Sequence, residues 1–244
     1  MTAYHGGKQR IGKKLAKIIV DESIGIEEDY DFDIKGYCEP FCGMLGVYKH
    51  IPKLFEEEGY TKLKYKAGDT NTSVIKMWKA AQKGWKPPTT CSEKEYNRLK
   101  KAKPSACKGF IGHQCSFGGQ FFKGFAKKYD KTKSPKRAAK RVSDIAAELC
   151  DVRFKQGDYQ SFSGLKNHVI YCDPPYRNVD CRYKTNFDNN KFWAWCKKMS
   201  ERNVILVSEY SAPKEVTCIF NISRKATSHG NNKCSNTEKL FFMA

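Results

Sequence analysis

The amino-acid sequence predicts an α/β fold with a mostly parallel sheet, and three observations carry this prediction. Short apolar runs alternate with helix-like apolar spacing along most of the chain. Two runs, 168–172 and 204–207, are continuous, as expected of central parallel strands buried on both faces. Polar residues end five predicted strands, at the edge where ligands bind to such sheets: Glu39, Asp69, Asp158, Asp173 and Ser208.

The elements before residue 79 follow this alternation. Apolar residues on one helix face predict a first helix around 11–19, and a strand follows at 34–39. A second strand at 63–67 ends at Gly68 and Asp69. The next helix covers 74–81, and it can be capped by Asn71, Thr72 or Ser73.

The alternation stops at Lys79 and resumes near Pro135, so we interpret 79–135 as an insertion. After it, the spacing predicts a helix at 142–149, a strand from 152 to Asp158 and a helix at 192–199. The segments 216–222 and 240–243 are predicted to close the sheet as an antiparallel pair.

The composition indicates one globular domain inside a cell. The chain has 244 residues, of which 40% are hydrophobic, so it can bury one substantial core. It contains no 18-residue apolar run, and its basic N-terminus lacks the apolar core of a signal peptide. We therefore expect no membrane partner and an intracellular protein, while its origin, in a bacterium, a phage or a large virus, stays open.

The cysteines are expected to be reduced thiols. There are eleven, an odd number, and none lies in a CxxC pair. Cys107, His113 and Cys115 lie close together, but their spacing fits no common zinc pattern, so no metal is predicted.

The charge is concentrated in the predicted insertion. The net charge is +19, and the segment 79–141 alone holds 18 Lys or Arg against three acidic residues. Aromatic side chains are interleaved with these cations between Phe110 and Tyr129. Such a segment is typical of a nucleic-acid surface.

The residues Asp173-Pro174-Pro175-Tyr176 follow the most apolar predicted strand and form the candidate catalytic motif. The lone pair of an adenine amino group is delocalised into the ring, so two acceptors on its N–H bonds would make the nitrogen more nucleophilic. The Asp173 carboxylate and the Pro174 carbonyl can be these acceptors, on a loop stiffened by Pro175. Tyr176 can stack on a base that has left the helix.

Together with four earlier segments, this motif resembles the Dam-type (D12 class) family of DNA adenine-N6 methyltransferases along nearly the whole chain. The segments, in family order, are Tyr4-His5-Gly6-Gly7-Lys8, Glu39-Pro40-Phe41-Cys42-Gly43, Asp69-Thr70-Asn71, Gly157-Asp158-Tyr159 and Asp173–Tyr176. The resemblance implies a Rossmann-like class I methyltransferase fold and S-adenosylmethionine as cofactor.

The resemblance also assigns roles to residues. It implies that the cofactor is bound by Tyr4, Lys8, Glu39, Phe41, Gly43, Asp69, Asp158, Tyr159 and Asp173, with Lys8 at its methionine carboxylate and Asp69 at its ribose. It divides the chain into a catalytic domain, 1–78 with 136–244, and a target-recognition insert, 79–135, that is mainly helical with a hairpin. The loop Gly43-Met44-Leu45-Gly46 departs from the family pattern, in which a second glycine more often comes earlier.

The predicted partner is double-stranded DNA, and the protein is expected to be a monomer or a weak dimer. Within the insert, five closely spaced lysines are predicted to contact phosphates: Lys123, Lys127, Lys128, Lys131 and Lys133. A thin Gly-rich hairpin is predicted to carry four base-reading side chains, His113, Gln114, Ser116 and Gln120.

Four alternatives stay open at this point. N4-cytosine methyltransferases use nearly the same machinery, although Asp173 favours adenine because those enzymes more often have Ser there. A nicotinamide dehydrogenase would require a GxGxxG turn, which the sequence lacks. An inactive DNA-binding protein and an RNA methyltransferase are the remaining two.

Overall fold

A computed structural model describes residues 2–30, 32–127, 135–176, 187–223 and 237–243, and it confirms the predicted α/β class. One seven-stranded sheet has the order β3-β2-β1-β4-β5-β7-β6. The first five strands are parallel, and β7 runs antiparallel between β5 and β6. The strands are β1 (Gly36–Glu39), β2 (Lys64–Asp69), β3 (Arg153–Gln156), β4 (His168–Cys172), β5 (Val204–Glu209), β6 (Thr217–Ser223) and β7 (Thr237–Met243).

Seven α-helices occur in the described ranges. They are α1 (Gly12–Tyr30), α2 (Ile51–Glu57), α3 (Thr72–Gln82), α4 (Glu93–Lys101), α5 (Ala106–Gln114), α6 (Pro135–Glu148) and α7 (Asn189–Ser200). The predicted helices α1, α3, α6 and α7 are confirmed. The short helix α2 was not predicted, because only Ile51 and Phe55 mark its buried face. Asn71 is the cap of α3, and its side chain accepts hydrogen bonds from the backbone N–H groups of Ser73 and Val74.

The sheet is buried on both faces, which explains the continuous apolar runs. All five residues of β4 and all six of β5 are buried. Val169 and Leu206 face the larger core, which includes α1, α3 and α6. Ile170 and Val207 face the smaller core under α7. Because both faces are covered, ligands can reach the parallel strands only at their ends.

The segment predicted as an insertion packs directly on the larger core. The predicted boundary between residues 78 and 79 lies inside α3, which continues to Gln82. Helix α5 lies so close to α3 that a methyl group at Gly109 would come within 2.1 Å of the Ser73 carbonyl oxygen. Phe110 and Ile111 of α5 are part of the larger core. The recognition role of 79–135 stays a prediction.

The predicted hairpin is wrong for residues up to Gln114, because these form α5. A short hairpin-like loop does follow. Ser116 and Phe125 make an antiparallel bridge, and the Phe117 N–H donates to the Gly124 carbonyl oxygen at 2.8 Å. Between these pairs the chain turns through Gly118 and Gly119, which have φ angles of 61° and 71°.

Candidate active site

The loops that follow β1 and β4 meet the N-terminal segment at the carboxyl edge of the sheet. They enclose a narrow cavity, and most of the predicted site residues of these segments line it. These are Tyr4, Lys8, Glu39, Phe41, Gly43 and Asp173, together with Tyr171 of β4. Residues far apart in sequence are thus brought together, because the ends of the neighbouring parallel strands β1 and β4 share one edge.

Asp173 lies in a network of charged and hydroxyl groups. Its Oδ1 atom is 2.5 Å from the Lys8 ammonium, and this nitrogen is 3.0 Å from Oε1 of Glu238. The Tyr176 hydroxyl donates to the same Glu238 oxygen at 2.9 Å. The Lys8 nitrogen also lies 4.7 Å from the centre of the Tyr176 ring, a cation–π distance. The catalytic motif is therefore held from the N-terminal segment and from β7.

Burial shifts the titration of the carboxyl groups in this region. It raises the pKa of Asp173, and the neighbouring Lys8 ammonium opposes this shift. It raises the pKa of Glu39 well above the ordinary value, although the Tyr37 hydroxyl donates to Glu39 at 2.7 Å. A cation that enters the cavity would favour the ionised form of both carboxyl groups.

The loop after β1 is fixed at Gly43 by two hydrogen bonds. The Gly43 N–H donates to Oδ2 of Asp69 at 3.0 Å, and the Gly43 carbonyl oxygen accepts from the Trp78 indole at 2.9 Å. The φ angle of Gly43 is 45°, and a methyl group at this position would come within 2.7 Å of the Tyr4 ring. A glycine is therefore required here, both by the backbone conformation and by the close approach of Tyr4.

Asp69, the last residue of β2, also binds the loops that follow β1 and β2. Its second oxygen, Oδ1, accepts from the backbone N–H of Asn71 at 2.8 Å. Both carboxylate oxygens thus bind backbone donors, and each keeps a further lone pair. Burial raises the pKa of Asp69, and the two N–H donors oppose this.

Aromatic side chains extend the cavity toward the end of β3. Phe41 stacks on Tyr159 with 5.9 Å between ring centres, and Phe192 packs edge-on against both rings. Tyr159 is buried, whereas Asp158 is exposed and makes no side-chain cap to the 3₁₀ helix Tyr159–Phe162. These two residues do not line the narrow cavity themselves, and Phe41 connects them to it.

Three predicted base-reading residues are buried in this structure, so their assignment is corrected. His113 Nδ1 is 2.9 Å from the Gly119 carbonyl oxygen, and burial lowers the pKa of its ring to about 4. Gln114 donates to and accepts from the backbone of Ala3, and Ser116 donates to the Gly112 carbonyl oxygen. All three are at most 5% exposed, because they tie the loop to the protein.

The remaining predicted DNA contacts lie nearer the surface. Gln120 is half-buried, with its side-chain nitrogen 3.5 Å from His5 Nδ1. Lys123 and Lys127 are exposed, and Lys128, Lys131 and Lys133 lie outside the described residues. Phe117 on the same loop is 79% exposed, the one large hydrophobic side chain with high exposure in the described ranges.

The family comparison decides how this site is classified. Residues 120–228 match the family model of the D12 class N6 adenine-specific DNA methyltransferases. This range contains the whole catalytic motif, Asp173 to Tyr176. The match confirms that the sequence resembles this family over residues 120–228, and it supports methyl transfer as the activity.

Several solved structures are distantly similar to this chain. One is entitled a putative methyltransferase, SMU.472, complexed with SAH, with 11% identity and a TM-score of 0.39. The similarity covers 99% of this chain and spans 56% of the length of that one. A structure from Thermoplasma acidophilum has 12% identity and a TM-score of 0.38, with 94% and 95% coverage. The putative methyltransferase yhhF from Escherichia coli has 9% identity and a TM-score of 0.33, with 91% and 83% coverage. No curated protein matches the chain.

The site includes residues to which the sequence assigned no role in it. Glu238 is 1% exposed and contacts Lys8 and Tyr176, although the sequence showed only that Glu238-Lys239-Leu240-Phe241 resembles the C-termini of the family. Trp78 is fully buried, and its role at Gly43 has no sequence signal beyond its place in an amphipathic helix.

Charged side chains of both signs line the cavity. Lys8 is the cation at the cavity, while Glu39 and Asp173 are the acidic residues that line it. In the described ranges, no helix has the length and apolar character needed to cross a membrane. The same ranges contain no cluster of three His, Cys, Asp or Glu side chains suited to a metal ion.

Proposed function

We propose that this methyltransferase moves a methyl group from S-adenosylmethionine to N6 of a flipped-out adenine, at specific sites in double-stranded DNA. The observation that carries the proposal is the convergence of Asp173 with five predicted cofactor residues on one cavity: Tyr4, Lys8, Glu39, Phe41 and Gly43. The D12-class match supports adenine in DNA as the substrate.

The cofactor residues are assigned by their place around the cavity. Lys8 would bind the methionine carboxylate, and Tyr4 and Gly43 would form the wall beside it. Phe41 and Tyr159 would hold the apolar part of the cofactor, with Asp158 at its polar edge and Asp69 at the ribose. When bound, the cofactor supplies a methyl group on a positively charged sulfur. Glu39 and Asp173 supply negative charge on the cavity wall.

Asp173 and Pro174 act on the substrate amino group. The side chain of Asp173 is 20% exposed, so it can reach a base at the rim of the cavity while its other contacts stay inside. The Asp173 carboxylate and the Pro174 carbonyl oxygen accept hydrogen bonds from the two N–H groups of the amino nitrogen. These bonds make the lone pair of that nitrogen available for attack on the methyl group. The Tyr176 ring, packed edge-on against Tyr210 at 4.7 Å, offers a fixed surface for the base.

The loop from Cys115 to Ala126 supports DNA as the substrate, because it joins the exposed surface to the site. The His5 N–H donates to the Gly119 carbonyl oxygen on this loop, and Tyr4 and Lys8 lie in the same N-terminal segment. An exposed aromatic ring on such a loop is suited to stack on a nucleic-acid base. Lys123 and Lys127 would contact phosphates beside it, and Gln120 is the remaining candidate for reading a base.

Asp173→Ala tests the proposed chemistry. Labelled S-adenosylmethionine should still bind within a few-fold of the parent affinity, whereas methylation of DNA should fall about a hundredfold or more, because one of two acceptors is lost. Asp151→Ala, at an exposed aspartate, is the matched control and should retain full activity. A variant at Asp173 with more than a tenth of the parent rate would refute this role.

Phe117→Ala and Lys127→Ala test the proposed DNA surface. Loss of a stacked ring should weaken DNA binding by about 1–3 kcal/mol with little change in its salt dependence. Loss of a phosphate contact should reduce the slope of log affinity against log salt concentration by about one. Unchanged DNA affinity in both variants would remove this loop from the interface.

A further inference from the structure

Glu238 contacts both partners of the catalytic carboxylate with a single oxygen atom. Its Oε1 is 3.0 Å from the Lys8 nitrogen and accepts the Tyr176 hydroxyl at 2.9 Å. Lys8 in turn contacts Asp173, and the Tyr176 hydroxyl also favours the ionised form of Asp173. Glu238 is 1% exposed, so these contacts are little screened by water.

The position of Glu238 follows from the reversed last strand. Strand β7 runs antiparallel to β5, with Glu209 opposite Lys239, so Glu238 lies just beyond the carboxyl end of β5. This is the edge at which the parallel strands present their functional residues. A residue 62 positions after Tyr176, the last residue of the candidate catalytic motif, thus reaches the same site.

Two carboxylates share one ammonium in this network. If Lys8 had only Asp173 as a partner, the ion pair would hold that carboxylate away from a substrate amino group. With Glu238 on its other side, Lys8 is attracted from two directions. The Asp173 carboxylate is then held less tightly and keeps capacity to accept a hydrogen bond from the substrate.

We propose that Glu238 is a positioning residue for methyl transfer: it shares Lys8 with Asp173, fixes the Tyr176 hydroxyl, and so keeps the Asp173 carboxylate available to the substrate. This inference rests on the proposed function of Asp173. It assigns to β7 a part in catalysis that is transmitted through Lys8 and Tyr176.

The charged and titratable groups around the network come from four parts of the chain. Lys8 faces Glu238 from the N-terminal segment, and Asp173 and Tyr176 face it from the loop after β4. Tyr171 of β4 interacts with both Asp173 and Glu238, and burial raises its pKa well above the ordinary value. Glu39 of β1 interacts with Asp173 and Lys8.

Removal of the Glu238 charge should change the pKa of Asp173 in a defined direction. Glu238 opposes ionisation of Asp173, whereas the Tyr176 hydroxyl favours it. Glu238→Gln should therefore lower the pKa of Asp173, and Tyr176→Phe should raise it. A purely structural contact would give no such pair of opposite shifts.

The experiment uses the full chain, without cofactor, labelled with ¹³C at the aspartate carboxyl carbons. The Asp173 signal is identified by its absence in Asp173→Asn, and its titration is followed by NMR in the parent, Glu238→Gln and Tyr176→Phe. Glu215→Gln is the matched control, because Glu215 is exposed near β6. Opposite shifts in the two test variants and no shift in the control support the network.

The catalytic part is measured in the same variants. In Glu238→Gln, kcat should fall about tenfold, less than for loss of a direct partner, while KM for the cofactor changes by less than about threefold. The acid limb of the pH–rate profile should move to lower pH. If Glu238→Gln does not fold, Glu238→Asp, which withdraws the charge from Lys8 and Tyr176, is measured in the same way and should also lower kcat.

Two results would overturn the inference and identify which proposal has failed. An unchanged titration of Asp173 together with an unchanged kcat, in a parent chain that methylates DNA, would make Glu238 merely structural. The second result is a pair of opposite NMR shifts in the two variants together with no methylation by the parent chain. The contacts of Glu238 would then stand, but they would serve no methyl transfer, which is a failure of the proposed function.

Discussion

The hydrogen bond from Trp78 to Gly43 predicts that a residue in a helix core controls cofactor affinity. The indole N–H donates to the Gly43 carbonyl oxygen at 2.9 Å, and Trp78 is fully buried against Phe154. Trp78→Phe keeps an aromatic ring in the core but removes this donor. The loop at Gly43 then loses one of its two anchors, and the Asp69 anchor remains.

The expected losses can be estimated from these contacts. A buried carbonyl group left without its donor costs about 1–3 kcal/mol of unfolding free energy, and the smaller ring leaves a void that costs about 1 kcal/mol more. A total of about 3 kcal/mol lowers Tm by about 6–12 °C in a chain of this length. The part that fixes the loop for binding is about 1 kcal/mol, which raises the Kd of the cofactor about fivefold.

Thermal unfolding and a titration with labelled S-adenosylmethionine measure the two effects separately. Trp193→Phe is the matched control, since Trp193 packs in the smaller core on the opposite face of the sheet. The control should lose stability but keep its cofactor affinity, measured well below its Tm. If Trp78→Phe and Trp193→Phe have the same Kd, the indole hydrogen bond does not position the Gly43 loop.

Three further predictions concern the same site. Gly43→Ala places a methyl group within 2.7 Å of the Tyr4 ring, so calorimetry should show cofactor affinity lowered at least about tenfold; unchanged affinity would mean that the ring moves away freely. Asp69→Asn has one acceptor for the two N–H donors of Gly43 and Asn71, so cofactor Kd should rise about tenfold and DNA Kd by less than twofold, and equal losses would contradict the assignment. Because burial raises the pKa of Asp173, its contribution to stability is present below its unfolded pKa and is lost as pH rises through the folded pKa. Between these two pKa values, Tm should therefore fall less steeply with rising pH for Asp173→Asn than for the parent. Identical slopes of Tm against pH in the two proteins would refute this prediction.

Much of the fold could be predicted because local patterns and the global topology agree. Strand β4 was predicted with the bounds that it has, because a continuous apolar run fits a strand buried on both faces. Asn71 was among the predicted caps of α3, because a side-chain oxygen at that position can accept from the first free N–H groups. The polar strand ends gave the edge of the sheet that holds the site.

The predicted hairpin failed because glycine and aromatic residues have two structural uses. Gly109 and Gly112 belong to the Gly-rich stretch that is predicted to form a thin hairpin. In the structure they allow α5 to approach Ser73 of α3 and the rings of Phe121 and Phe122. Close helix packing and a thin hairpin both require small residues, and a single sequence does not separate them.

Glu238 could not be assigned from sequence for a topological reason. Its contacts with Lys8 and Tyr176 depend on β7 lying between β5 and β6 and running in the opposite direction. The apolar spacing predicts the strand but not its neighbours or its register. Such contacts are visible only when the sheet order is known.

The most direct test of the account is the identity of the methylated atom. Unmethylated double-stranded DNA is incubated with the purified protein and S-adenosylmethionine labelled in the methyl group, and the nucleosides are then separated by mass. We predict label in N6-methyl-2′-deoxyadenosine, and about a hundredfold less of it with Asp173→Ala. Label in N4-methyl-2′-deoxycytidine, or label in N6-methyl-2′-deoxyadenosine that Asp173→Ala leaves at the parent level, would contradict this prediction.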